Sequence, residues 1–198
     1  MKNFLFLLVL SPLLLWAQDP SLPKKQYVGI GLGTDYCFKT NQSNSGLKVG
    51  VKAELSYGYK FNSGFRAELE ASFRKNSFQT KYDVAKDDQL RSKRYHSLHS
   101  WAYMGNLLYD LNQLIYQGIN PYVGIGVGYA QCVEKVKYKS SKEINADKFR
   151  DDRFVYQGIV GARYSINETL DVSAEYKYLC GLSHAKDHSV SLALLRNF

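Results

Sequence analysis

Each of the four histidines of this 198-residue chain adjoins a serine: His96 with Ser97, His99 with Ser100, His184 with Ser183 and His188 with Ser189. Imidazole beside hydroxyl suggests nucleophilic catalysis, but a working nucleophile needs a base within hydrogen-bond reach and a third group to orient that base. No such motif surrounds these pairs. They read as polar residues in or beside connecting segments, and no catalytic residue is expected. Cys37, Cys132 and Cys180 form no C-x-x-C pair, which argues against zinc, and their odd number leaves any disulfide open. No metal or cofactor is expected. Glycines at 29, 31 and 33 and at 124, 126 and 128 look superficially like nucleotide loops. A dinucleotide fingerprint opens a helix, however, and these glycines alternate within strand-like runs.

The charged residues are more informative. Lys52, Glu54, Arg66, Glu68, Glu70, Arg163, Glu175 and Lys177 alternate with apolar or aromatic neighbours, and they carry four charges of each sign. Period-two alternation places them on one face of extended strands. If that face lines a narrow interior, the charges must pair or meet trapped water, because an unpaired buried charge is costly.

Segments of about ten alternating residues recur from residue 26, separated by connections that are alternately short and long. The clearest is a hairpin of residues 47–61 and the run from Phe65 to Arg74, turning through Asn62, Ser63 and Gly64. Further strands are expected at 26–38, 98–110, from Pro121 onward, and at 153–166, 170–180 and 188–198, with long loops at 39–46, 76–97, 134–152 and 181–187. On 98–110 either parity exposes apolar groups; Trp101, Tyr103, Leu107 and Tyr109 are assigned outward, with Ser100 and Asn106 inward. The expected fold is an all-β, eight-stranded antiparallel up-and-down transmembrane barrel, with residues 18–198 as its single domain.

Residues 1–17 read as a cleavable export signal. Lys2 supplies the positive start, and the apolar run of residues 4–16 falls short of the ~20 residues of a spanning helix. Leu15 is bulky where a small residue usually stands, which leaves the position of the cut open. The mean hydropathy of −0.33 does not oppose a membrane location, since lumen-facing residues offset lipid-facing ones in a barrel strand. Sixteen tyrosines and ten phenylalanines suit strands and interfacial girdles. The net charge of +8 suggests nucleic acid, but export removes that partner and leaves acidic lipopolysaccharide as the counterpart.

Val190, Leu192 and Leu194 form an outward row that ends in the terminal aromatic Phe198. This strand resembles the C-terminal signal read by the barrel-assembly machinery, although Arg196 departs from the pattern. Together with the run from Pro121 to Ala130, Tyr156-Gln157-Gly158, the run from Gly161 to Tyr164 and the run from Glu175 to Tyr178, the chain resembles the small proteobacterial outer-membrane surface antigens of the opacity-like and rickettsial type. That resemblance implies a non-enzymatic surface barrel in the outer membrane of a Gram-negative bacterium, immunodominant or adhesive, with outer-membrane lipids and host surface molecules as partners. Charge alone nominates Lys81, Arg91, Lys93, Arg94, Lys137, Lys139 and Lys142 as loop contacts to acidic glycans or phosphates. The alternatives are a small porin-like channel or transporter, a lipid-modifying enzyme, and a soluble lipocalin-like barrel with the opposite facing.

Overall fold

The structure, a computed structural model, describes residues 25–39, 48–81, 93–139, 144–181 and 185–198. The leader expected at residues 1–17 lies outside the described residues. Among those described, eight strands follow one another: β1 (Gln26–Lys39), β2 (Lys48–Lys60), β3 (Phe65–Lys81), β4 (Lys93–Asp110), β5 (Ile119–Lys139), β6 (Ile144–Ser165), β7 (Leu170–Cys180) and β8 (Ala185–Asn197). Each pairs antiparallel with its sequence neighbours, and β8 returns to β1, so the sheet is a closed barrel. Closure leaves no unpaired sheet edge, which is what a bilayer core demands of a strand protein. The seam is sealed at one end by Gln26, whose amide donates to the Phe198 carbonyl at 3.2 Å, and by Phe198, whose amide donates to the Gln26 carbonyl at 3.0 Å.

Facing follows parity. Leu32, Leu69 and Ile125 are 69%, 67% and 69% exposed, whereas Lys52, Arg66 and Lys177 are 2%, 1% and 3% exposed. The apolar row is therefore outside and the charged row inside, the arrangement of a membrane barrel and the reverse of a lipocalin. On β4 the assignment holds: Trp101, Tyr103, Leu107 and Tyr109 are exposed, and Ser100 and Asn106 are buried. The ambiguity in the sequence has a cause, since Ala102, Met104 and Leu108 also point inward and are buried.

Aromatic contacts mark two levels on the outer surface. Near the short-turn end, Phe65 packs on Tyr109 at 4.8 Å and Tyr59 on Phe61 at 5.0 Å. Near the other end, Phe73 packs on Trp101 at 4.9 Å and Tyr129 on Phe154 at 6.0 Å. Phe65 and Phe73 are eight steps apart on β3, about 27 Å along the strand at ~3.4 Å per step. At a tilt of about 35–45° that projects to roughly 20 Å along the membrane normal, which fits inside the apolar band of about 25 Å between girdles.

Strands at the long-connection end are longer than the sequence suggests. The polar stretch 76–97 is not all loop, because β3 runs to Lys81 and β4 begins at Lys93; within 134–152, β5 runs to Lys139 and β6 begins at Ile144. Likewise β8 begins at Ala185, inside the loop expected at 181–187. Past the membrane both faces of a hairpin meet water, so the hydropathy alternation fades while the backbone ladder continues. At the opposite end two connections, 61–64 and 166–169, are tight, and the third, 111–118, holds a short 3-10 helix at Asn112–Leu114. Gly64 sits at φ +85°, a left-handed geometry that glycine adopts without a Cβ penalty.

Candidate functional site

The lumen is the densest concentration of chemistry in the described residues. Strand parity brings inside all eight charged residues singled out by the sequence: Lys52, Glu54, Arg66, Glu68, Glu70, Arg163, Glu175 and Lys177 are each at most 9% exposed. At mid-depth the Lys177 ammonium on β7 meets carboxylate oxygens of Glu54 on β2 and Glu70 on β3, both at 3.0 Å, and of Glu175 at 2.7 Å. Lys52 meets Glu54 at 2.5 Å and Glu70 at 3.6 Å. The uncharged partners come from the remaining walls. Asn106 on β4 donates to Glu68 and Glu70, each at 3.1 Å, Gln157 on β6 donates to Glu70 at 3.1 Å, and Ser191 on β8 donates to Glu54 at 2.9 Å.

A second layer lies toward the short-turn end. Arg66 donates to Asp110 at 3.0 Å, and Arg163 donates to the other Asp110 oxygen at 3.0 Å. The Arg66 guanidinium also lies 4.4 Å from the ring centroid of Tyr122, a cation–π contact. Tyr122 and Tyr27 are buried aromatics whose hydroxyls find acids: Tyr122 donates to Glu175, and Tyr27 donates to Glu68 at 2.9 Å. Below them Lys60 donates to Asn197 at 2.6 Å and pairs with Asp171 at 3.4 Å. A third layer, toward the long-connection end, pairs Arg74 with Asp35 at 3.5 Å and has Asn76 donating to Asp35 at 2.9 Å. Facing that polar side is an apolar cluster of Ala102, Met104, Ala130, Val155 and Leu179.

Glycines make room for this filling. A Cβ on Gly31 would sit 2.7 Å from Glu54 Cγ, one on Gly126 would sit 2.1 Å from Asn106 Oδ1, and one on Gly161 would sit 2.5 Å from Tyr122 Cζ. These glycines hold space for neighbouring side chains.

Sequence reasoning missed part of the lattice. Asp35 and Arg74 have inward parity but were not counted in the network, and Asp110 and Asp171 lie near strand ends. Tyr27 and Tyr122 were hidden by the expectation that tyrosine belongs to the girdle. Their signal was parity, since each shares a face with the alternating glycines of its own strand.

The pairs His99–Ser100 and His188–Ser189 do not assemble as nucleophile and base, and the side chains of His96 and Ser97 lie outside the described residues. His188 shares a 2.5 Å hydrogen bond with Tyr176 on the outside, whereas Ser189 is buried in the lumen. Ser100 is likewise buried, one residue from His99, which points to the opposite face. Ser183 and His184 lie outside the described residues. Cys132 and Cys180 are thiols.

The nominated basic contacts divide. Lys81, Lys93, Arg94, Lys137 and Lys139 stand on strand extensions, not in loops, while Arg91 and Lys142 lie outside the described residues. Nearby, and outside the membrane, Arg150 donates to both Asp152 oxygens at 3.1 and 2.9 Å, which holds its guanidinium above its ordinary pKa.

Comparison with solved structures finds the same fold. Neisserial surface protein A is 16% identical with a TM-score of 0.55, the match covering 87% of this chain and 97% of that one. Ail, the attachment invasion locus protein of Yersinia pestis, solved in complex with the heparin analogue sucrose octasulfate, is 14% identical with a TM-score of 0.52, covering 88% and 99%. A major outer membrane protein from Thermus thermophilus is 10% identical with a TM-score of 0.56, covering 86% and 99%. No curated protein matches the sequence. The outer membrane protein beta-barrel domain family, in contrast, matches residues 4–198, nearly the whole chain. The charged interior and apolar exterior thus belong to a protein of the cell outer membrane, and the chain is a member of the outer membrane protein beta-barrel family.

Proposed function

We propose that the chain is a non-enzymatic surface barrel with a plugged interior, structural in the membrane and adhesive through its extracellular end. One observation carries the plugged reading. Lys177 on β7 reaches Glu70 on β3 at 3.0 Å, and these strands lie four apart in a ring of eight, on opposite walls. A side-chain bridge across the full diameter, with hydrogen-bonded neighbours on either side, supports a filled lumen at that depth. An eight-stranded barrel is just wide enough for such filling. Liposome swelling with a small sugar tests this directly: vesicles holding the protein swell no faster than protein-free ones, and a porin-like rate would overturn the reading in favour of a channel.

Adhesion is favoured by the charge of the extracellular end and by the sulfated ligand of the similarly folded Ail. Its partners are acidic: lipopolysaccharide and sulfated or carboxylated host glycans. The nominated residues Lys81, Arg91, Lys93, Arg94, Lys137, Lys139 and Lys142 carry that contact in this reading. Cells displaying the protein should bind a sulfated glycan, and the combined Arg91→Gln, Arg94→Gln and Lys142→Gln variant should lose most of that binding; unchanged binding would exclude these residues.

A further inference from the structure

The short-turn mouth of the barrel holds a cavity of about 370 Å³. Small-ligand sites are typically about 300–1,000 Å³. Its wall is built by Lys60 on β2, Arg163 on β6, Asp171 on β7 and Asn197 on β8. Ser165 at the end of β6, with Asn167 and Glu168 in the turn after it, forms an exposed rim. Side chains of four strands thus converge on one recess. The layer of Arg66, Tyr122 and Tyr27 stands between this recess and the Lys177 bridges, so filling it needs no open lumen.

The wall is short of acceptors. Lys60 donates to Asn197 at 2.6 Å and to Asp171 at 3.4 Å, which uses two of the three donors of an ammonium, and 24% of its side chain is exposed. Arg163 donates through Nη2 to Asp110 at 3.0 Å and holds Nε 3.8 Å from Asp171, while its Nη1 is buried without an acceptor. A buried donor left unpaired is costly. Charge points the same way. Among the described residues of this layer three cations, Lys60, Arg66 and Arg163, share two carboxylates, because Asp110 pairs with both arginines and Asp171 with Lys60 and Arg163. Lys60 Nζ and Arg163 Nε lie 3.4 and 3.8 Å from the same Asp171 oxygen, close enough together for one small anion to meet both side chains.

We propose that this recess binds the terminal carboxylate of a short peptide, with Lys60 and Arg163 as its cationic contacts. A carboxylate supplies two acceptors to the wall that lacks them. Uncharged Ser165 and Asn167 at the rim suit peptide groups, and Glu168 beside them disfavours a ligand with a second negative group. The start of β1 and the end of β8 meet at this mouth, and Asn197 donates its amide to Thr169 of the adjoining turn, which makes this the periplasmic side of an outer-membrane barrel. The peptide is free in the periplasm or attached to the cell wall, and the carboxylate is common to both. The proposal takes only its orientation from the surface-barrel reading. A leaking lumen or absent glycan adhesion would leave it standing.

A fluorescently labelled alanyl-alanine dipeptide with a free C-terminus is titrated against purified full-length protein in detergent micelles, beside the same dipeptide as its C-terminal amide. Retained heat-shifted mobility checks folding. The carboxylate form should bind saturably and the amide about tenfold more weakly or worse, the scale of a lost hydrogen bond to a charged group. Lys60→Gln should weaken the carboxylate form by a similar factor, and Lys60→Arg should keep most of the affinity. Equal binding of the two forms, no saturable binding of the carboxylate form, or undiminished binding by folded Lys60→Gln would overturn the proposal. Should Lys60→Gln fail to fold, the wild-type protein still decides, since affinity for the carboxylate form alone should fall as sodium chloride is added. A cell-wall stem peptide still joined to its sugar separates the two sources. Tighter binding than the dipeptide assigns the recess to the wall and weaker binding to free peptides, and either result supports a carboxylate site.

Discussion

Glu70 is the residue on which the interior depends most, because it takes Lys177, Lys52, Asn106 and Gln157 from four different strands. Removing one member of a buried ion pair leaves the other charge uncompensated and costs about 3–5 kcal/mol. Glu70→Ala should therefore lower the unfolding free energy of the barrel, read by urea titration in lipid vesicles, by an amount of that order, and an unchanged value would mean that water already solvates Lys177. The glycines give a paired test. A Cβ on Gly33 would lie 2.2 Å from the Val190 carbonyl oxygen, against backbone that cannot swing away, whereas one on Gly158 meets nothing within 4 Å. Gly33→Ala should lower the temperature of the gel-mobility shift and Gly158→Ala should leave it in place; equal effects would contradict this packing. The eight charged lumen residues were legible because parity sorts them onto one face, and the charged rows, the terminal Phe198 and the aromatic excess turn that face inward. Tyr27 and Tyr122 were not, since tyrosine suits either a girdle or a buried site whose hydroxyl finds an acid.

Strands were legible where one face meets lipid and illegible where both meet water. On β3 the alternation of Phe65, Ala67 and Leu69 with Arg66, Glu68 and Glu70 marks the spanning part, but nothing apolar marks its continuation to Lys81. The continuation is a matter of backbone pairing, and its consequence is measurable. Amides of residues 133–137 on β5, paired on both sides by β4 and β6, should exchange with deuterium far more slowly than an open loop; exchange at free-peptide rates would return the segment to the loop that its composition suggests. At the seam, β8 closes on β1 along its length and ends at half-buried Phe198, while Arg196 stands exposed. Deleting Phe198 should reduce the amount of protein reaching the outer membrane, read as heat-shiftable material in membrane fractions, and undiminished assembly would show that this residue is not the recognised signal.

The molecule as a whole is a barrel turned inside out relative to a soluble protein, with its ion pairs at the centre and its leucines on the surface. Family membership and outer-membrane location were legible from this inversion together with the aromatic excess, whereas the particular partners of a surface protein are set by exposed residues that no packing constraint fixes. The central claim is that side chains from opposite walls meet and seal the lumen. Single-channel recording in planar bilayers tests it most directly, with wild-type protein beside a variant carrying Glu70→Ala and Lys177→Ala. The account predicts a silent wild type and discrete conductance steps in the double variant, where the bridge between β3 and β7 is gone. Stable ohmic conductance from wild-type protein would contradict it.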